Sequence, residues 1–360
     1  MKLFSTAVEP DYRRVVAAAR NRRPEILPLY EHNVCTGVIS ALTGTDLEAV
    51  MRRDRLEFFR HYCGFFRQVG YDVVTFEQCI TSILPDNGAL YGGRPGPIQD
   101  PETLAAYPWE TLADRYWDRA APQFEALGRA MPLGMKAIGG VGNGVFEISE
   151  DLTGLEYLPF LQLDHPEAYE ELYRRIGDLT VTLWERFLKE FGEIYCVCRF
   201  GDDLGFRSSL LTMPATIREQ VIPQYRRVID LVHRHGKPFL LHSCGCIFEV
   251  MEDLIAAGID AKHSNEDAIA PFAEWIDRYS GRIGLFGGID MDRIVSDTPE
   301  NIRRFIRSNV PSWRATASGF AVGTGNSIPD YVPPENYLAM LEAVEEIRSA
   351  RDSGCSAPGA

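Results

Sequence analysis

The sequence predicts an α/β protein folded as a single (β/α)8 TIM barrel, and three observations carry that expectation. Apolar, β-branched or small-residue runs of strand length recur along the whole 360-residue chain, separated by amphipathic helical stretches. Eight such steps follow one another without a break in composition. No G-x-G-x-x-G fingerprint opens the first step, which weighs against the main alternative, an open doubly wound sheet.

The expected strands, in order, are "EILPLYEH" (25–32), "YDVVTFEQ" (71–78), "GMKAIGGVG" (134–142), "EIYCVCRF" (193–200), "KPFLLHSC" (237–244), "IDAKHSN" (259–265), "RIGLFGGID" (282–290) and "GFAVGTG" (319–325). Between them, stretches such as "PEAYEELYRRIGDLTVTLWERFLKEF" and "PATIREQVIPQYRRVIDLVHRHG" return an apolar residue every three or four positions, the period of a helix with one buried face. Gly70, Gly192, Gly236 and Gly258 each precede a strand and can close the helix before it. The Gly- and Pro-rich run after the second strand reads as an inserted hairpin or lid within 79–110. Residues 1–350 then form one domain, and 351–360, with Cys355, a frayed tail.

Composition narrows the function classes. A hydrophobic content of 45% provides for a large core, and a formal charge of −14 argues against nucleic acid or an anionic membrane surface as partner. The start "MKLFSTAVEPDYRRVV" has no apolar core of a signal peptide, and no apolar run is long enough to span a bilayer. Eight cysteines in such a chain read as reduced thiols of a cytoplasmic protein. A homodimer is compatible with this composition, and the oligomeric state stays open.

In a (β/α)8 barrel the chemistry sits at the C-terminal ends of the strands. Those ends carry Glu31, His32 and Asn33; Glu77 and Gln78; Asn143; Asp202 and Asp203; His242, Cys244 and Cys246; His263, Asn265 and Glu266; Asp290; and Asn326. The strand bodies before them are apolar or small, so the polar groups collect where an active site belongs. Strand ends also precede helices, where Asp, Asn and Ser serve as N-caps, so each of these residues has a structural reading beside the functional one.

"HSC" is the sharpest of these motifs. Residues i and i+2 of a strand project to one side, so His242 and Cys244 can share one ion, and imidazole with thiolate suits Zn²⁺. The alternative is that both fill the upper layer of the core, where cysteine is common. A redox Cys244/Cys246 pair is a third reading. Cys196 and Cys198, inside a strand, read as packed thiols. In "GDDLG", Asp202 and Asp203 read either as an acid/base pair that also hydrogen-bonds substrate N–H groups, or as a cap and a solvent-facing carboxylate.

The stretch "GDDLGFRSSLLTMPATIREQVIPQYRRVIDLVHRHGKPFLLHSCGCIFEVMEDLIAAGIDA" and the closing "GTGNSIPDYVPPENYLAMLEAV" resemble the uroporphyrinogen decarboxylase superfamily, with "DDLG", "HSCG", "GGID" and "PPEN" in that family's order. The resemblance implies a TIM barrel and two kinds of activity. One is cofactor-free decarboxylation of an acidic tetrapyrrole, held by arginines after the first strand and by an aspartate. Here that strand ends "YEHNVCTG" without an arginine before Arg52, and Asn326 stands where those enzymes keep a histidine. The other is methyl transfer from a methyl-corrinoid carried by a partner protein to a thiol, with Zn²⁺ on His-x-Cys and a distant cysteine. His242 and Cys244 match its first two ligands, the third again falls at Asn326, and help is then required from Glu266, His263, Glu77 or Cys246.

The methyltransferase-like branch is the one the sequence favours: metal at His242 and Cys244; Asp202, Asp203, Glu266 and Asn326 catalytic; Glu31, His32, Asn33, Glu77, Asn143, His263 and Asp290 lining the substrate. Decarboxylation of uroporphyrinogen is the alternative, and a non-catalytic tetrapyrrole- or corrinoid-binding protein the third.

Overall fold

A computed structural model describes residues 8–84 and 93–352, the side chains of 350–352 excepted. Seven strands form, β1 (Val73–Cys79), β2 (Lys136–Gly142), β3 (Tyr195–Gly201), β4 (Phe239–His242), β5 (Ala261–His263), β6 (Gly284–Ile289) and β7 (Phe320–Thr324). They lie in chain order along one sheet, an α/β arrangement compatible with the expected barrel. Cys198 stands opposite Phe239 and Gly201 opposite His242, parallel; β5–β6 and β6–β7 are parallel as well.

The expected first strand, 25–32, is the correction. It makes only isolated parallel bridges, Leu29 with Val322 and, beyond its end, Val34 with Ile328. Pro24 and Pro28 have no N–H to give a ladder. The carbonyls of Glu25 and Leu27 are taken by arginine side chains, Arg314 on the first and Arg348 Nε at 2.7 Å on the second. What remains of strand pairing is Tyr30 N–H to Val322 O at 2.9 Å and Val322 N–H to Pro28 O at 3.0 Å.

Two compact units divide the chain: residues 1–75, 126–137 and 260–360, and residues 76–125 and 138–259. In the second, the helix Pro166–Glu190 buries Tyr169, Leu172, Tyr173, Ile176, Leu183, Trp184 and Phe187, spaced as its sequence predicts. Each such side chain withdrawn from water contributes about 1.5–3 kcal/mol. Its aromatic end meets Phe124 and Tyr195, with ring centroids 5.2 and 4.8 Å from Phe187. The next helical stretch is less regular than its pattern. Pro223 withholds an N–H, and the backbone widens to a π turn over Ile217–Val221 before the helix Ile222–Arg234.

In the first unit, the helices Pro299–Thr316 and Pro334–Asp352 carry the ion pairs Arg303–Glu342 (2.6 Å) and Arg307–Glu346 (2.8 Å). Tyr71 and Tyr337 share a buried hydroxyl contact of 2.7 Å. Three of the expected helix-closing glycines, Gly70, Gly236 and Gly258, have the left-handed backbone that such a stop uses. Gly192 instead opens a short 3-10 turn.

Of the expected lid, residues 85–92 lie outside the described residues, as does most of the tail with Cys355. The returning part is fastened down: Gly96 and Ile98 donate backbone N–H groups to Thr153 O and Leu152 O at 2.8 and 3.0 Å. All seven described cysteines are free thiols, with Cys196 and Cys198 buried as packing predicts. Among the described residues, no helix is long and apolar enough to cross a membrane.

Candidate metal centre

Strand β4 stops at His242, so the two-residue alternation of a strand is not what orients Cys244. Its place is set by the neighbouring strand end instead. Asp203, two residues past β3, accepts the Cys244 backbone N–H on Oδ1 at 2.8 Å, and Leu204 N–H reaches Ser243 Oγ at 3.2 Å. Beyond it the two loops lie backbone to backbone. Gly245 has φ of +77°, and a Cβ there would fall 2.1 Å from Gly205 C, so only glycine fits. Cys246 N–H donates to Phe206 O at 2.7 Å and fixes the contact.

The outcome is a cluster of three donors. Cys244 Sγ lies 3.4 Å from His242 Nε2, and Asp203 Oδ1 lies 3.9 Å from the same nitrogen. All three donor atoms fall within 4.8 Å of one another. For tetrahedral Zn²⁺ with ordinary Zn–N and Zn–S bonds, trigonometry places nitrogen and sulfur about 3.6 Å apart and nitrogen and oxygen about 3.4 Å apart. The residues present therefore fit a zinc ion with small adjustment of Asp203. Cys246 does not belong to this triad, in keeping with the break in strand geometry at Gly245.

Behind the donors stands a network of carboxyls that builds outward from Asp202. Asp202 is fully buried and accepts hydrogen bonds from Phe146 N–H (3.0 Å), Glu147 N–H (2.8 Å) and the Tyr225 hydroxyl. It thus caps the helix Val145–Thr153, which follows β2, and not the turn after its own strand. Gly144 makes room for it, since a Cβ there would meet the Asp202 carboxyl at 2.2 Å. Burial pushes Asp202 up to about 7 against the pull of those three donors.

The capped helix presents Glu147. One Glu147 oxygen accepts Asp203 N–H at 3.1 Å and the other the Asn143 amide at 3.0 Å. Asn143, at φ +69°, in turn receives the Thr81 backbone N–H at 3.1 Å. Burial, and then repulsion from Asp202 and Asp203, raise Glu147 well above the ordinary carboxylate range. Glu150, one turn on, is buried with Oε1 unpartnered, and burial pushes it up to about 9. Glu77 pairs with the buried Arg199 guanidinium at 2.8 Å, an internal ion pair at the start of this unit.

The other expected site residues lie in the first unit. Glu31 is buried against Thr324, whose hydroxyl and N–H both donate to it, and burial raises it to about 8. His32 stacks on His263 with centroids 5.7 Å apart, and His263 Nε2 approaches Thr324 O at 2.9 Å. Asn33 is exposed and lends its carbonyl to Ile328 N–H. Asp290 takes the cap reading: it accepts Asp292 N–H at the start of the helix Met291–Ser296 and Asp267 N–H at 2.6 Å. Glu266 and Asn326 are half-buried, and Asn326 Oδ1 accepts Ser327 N–H at 2.7 Å.

Glu147, Glu150, Arg199, Tyr225 and Thr324 are partners the sequence reading passes over. "GNGVFEISED" holds a signal for two of them, since acids three residues apart share one face of a helix, and here that face adjoins an apolar one. Tyr225 and Thr324 had none.

The uroporphyrinogen decarboxylase family model matches residues 64–347. No curated protein matches the sequence. Among solved structures, the fold is similar to a methyltransferase from Methanosarcina mazei, with a TM-score of 0.69 and 13% identity over 94% of this chain and 99% of that one. Weaker likenesses include a glycoside hydrolase family 5 enzyme from Prevotella bryantii B14, with a TM-score of 0.41 and 10% identity over 96% and 99% of the two chains. An AP endonuclease of family 2 from Brucella melitensis gives a TM-score of 0.41 and 14% identity over 80% and 92%. At 13% identity the likeness to the methyltransferase establishes fold alone.

Proposed function

This chain belongs to the uroporphyrinogen decarboxylase family, and from that premise we propose that it catalyses metal-assisted methyl transfer from a methyl-corrinoid protein to a small acceptor. One observation carries the reading: Cys244 Sγ and His242 Nε2 lie 3.4 Å apart, the spacing at which both reach one ion. A zinc ion held there by His242 and Cys244 would supply Lewis acidity, lowering the pKa of a thiol acceptor so that the thiolate is available near neutral pH. His242 and Cys244 hold the ion, Asp203 fixes Cys244 through its backbone N–H, and Glu147 fixes Asp203 in the same way. The acceptor loses a proton and gains the methyl group, while the donor's carbon–cobalt pair of electrons stays with cobalt. Glu266 and Asn326 remain in the proposed catalytic set. Glu31, His32, Asn33 and His263 remain in the proposed substrate-binding set, whereas Glu77, Asn143 and Asp290 are engaged within the fold by the contacts described above. A reducing cytoplasm suits a site that depends on a free Cys244.

The alternative, decarboxylation of a tetrapyrrole, asks Asp202 or Asp203 to bind pyrrole N–H groups. The Asp202 oxygens already accept from Phe146, Glu147 and Tyr225, which leaves that role to Asp203. The deciding assay incubates zinc-loaded protein with methylcobalamin and a panel of small thiols and amines. Loss of the methyl–cobalt absorbance with a methylated acceptor in the mass spectrum is the expected outcome. No turnover, together with carbon dioxide release from uroporphyrinogen, gives the reaction to the decarboxylase reading.

A further inference from the structure

We propose that Asp203 is the third protein ligand of the metal, so that the centre is an imidazole, thiolate and carboxylate set drawn from two adjacent strand ends. The inference deepens the reading above and rests on a metal being bound at His242 and Cys244.

Three observations converge on it. Asp203 Oδ1 sits 3.9 Å from His242 Nε2, about half an ångström beyond the separation of two ligands on one tetrahedral ion. The carboxylate is aimed by its hydrogen bond from Cys244 N–H and by its own N–H on Glu147, the kind of outer support that ligands of metal centres have. It is also available. Its side chain is 43% exposed, whereas Asp202 beside it is buried and fully engaged as a helix cap. Adjacent acids in "DDLG" thus separate into one that builds the fold and one that faces the ion.

The chemistry follows from the donor set. One thiolate and one carboxylate neutralise a divalent ion, leaving the fourth position for an anionic acceptor. Replacing a sulfur donor by oxygen makes the centre harder and less electron-rich than a two-thiolate site. The centre therefore accepts Co²⁺ and Zn²⁺ alike and holds its acceptor less by sulfur softness than by charge.

The test separates ligation from positioning. Asp203→Asn keeps an oxygen that can receive Cys244 N–H but loses the anion. Wild-type protein, Asp203→Asn, Asp203→Cys and Cys246→Ala are titrated with Zn²⁺ against a chromophoric chelator and with Co²⁺ by absorption. Wild type binds one equivalent and shows one sulfur-to-cobalt charge-transfer envelope with tetrahedral visible bands. Asp203→Asn weakens zinc by about 100-fold or more, beyond the 10–100-fold typical of an outer-shell change. Asp203→Cys retains one equivalent and about doubles the charge-transfer intensity, because a second thiolate enters the centre. Zinc affinity within threefold of wild type in Asp203→Asn, with unchanged cobalt bands, overturns Asp203 as ligand and leaves His242 and Cys244 as the metal site. Absence of metal from the wild type itself overturns both, so the two failures are distinct.

Discussion

The strand ends of the two units hold their buried carboxyls in different ways. In the unit containing β3 and β4, Asp202 draws on three donors: two N–H groups at a helix start and a tyrosine hydroxyl. In the unit containing β7, Glu31 draws chiefly on one residue, Thr324, through its hydroxyl and its N–H. Glu150 has an oxygen with no partner at all. All three are shut away from water, yet Asp202 is pushed up only to about 7, Glu31 to about 8 and Glu150 to about 9. Burial is the first cause of each rise; hydrogen-bond donors offset it at Asp202 and Glu31, whereas at Glu150 the nearby Asp202, Asp151 and Asp203 add to it. The end that carries Cys244 thus holds both the best-supplied carboxyl and the worst.

The largest effect expected is at that end. Cys244→Ala should lower zinc affinity by at least about 1,000-fold, because a thiolate ligand is removed and nothing of equal basicity replaces it. Elemental mass spectrometry of the purified variant, with circular dichroism to show that it is folded, checks this. Zinc retained in one equivalent would mean that the acid-rich end is packed for its own sake.

Next comes the cap. Asp202→Ala strands two helix N–H groups and the Tyr225 hydroxyl in a dry site, at a cost of about 3 kcal/mol in urea unfolding. Glu31→Gln, which keeps an acceptor for Thr324, should cost under about 1 kcal/mol. Equal costs would erase the distinction drawn between the two ends.

The pH dependence sharpens it further. The folded state raises the pKa of Asp202, Glu31 and Glu150, so it binds more protons than the unfolded chain between about pH 4 and 9. Stability then falls as pH rises through that window and is greatest at its acidic edge, so far as these groups decide it. Glu150→Gln copies the protonated acid at every pH. It should match wild type at pH 4.5 and exceed it at pH 8.5 by on the order of 5 kcal/mol. A variant less stable than wild type at pH 8.5 would show that ionised Glu150 has a partner. The smallest effect is assigned to Cys246→Ala, whose zinc affinity should stay within about threefold of wild type, as its sulfur lies outside the triad.

The strands β1 to β7 were legible because apolar runs of five to nine residues between helical repeats admit few other readings. The segment 25–32 carries the same apolar signal, and Pro28 within it and Pro24 just before it were the warning that pairing would fail. The carbonyl partners that replaced a strand neighbour, Arg314 and Arg348, lie 289 and 321 residues away in sequence and leave no local trace. At the site, "HSC" pointed to His242 and Cys244 lying side by side, as they do, for a partly mistaken reason: Asp203, not strand alternation, aims Cys244. In "DDLG", Asp202 follows the cap reading, but it caps a helix nearly 60 residues upstream and not the following turn. Local spacing shows which residues are near one another along the chain, and it says nothing of which strand end becomes the neighbour.

Arg348 also bears on how the protein is made. Its guanidinium closes on the carbonyls of Leu27 and Gly70, both at 2.7 Å, so the N-terminal quarter gains these partners only after the last helix has left the ribosome. The unit of residues 76–125 and 138–259 is complete long before then. Residues 1–75 therefore depend, for part of their packing, on partners that synthesis delivers after residues 76–259.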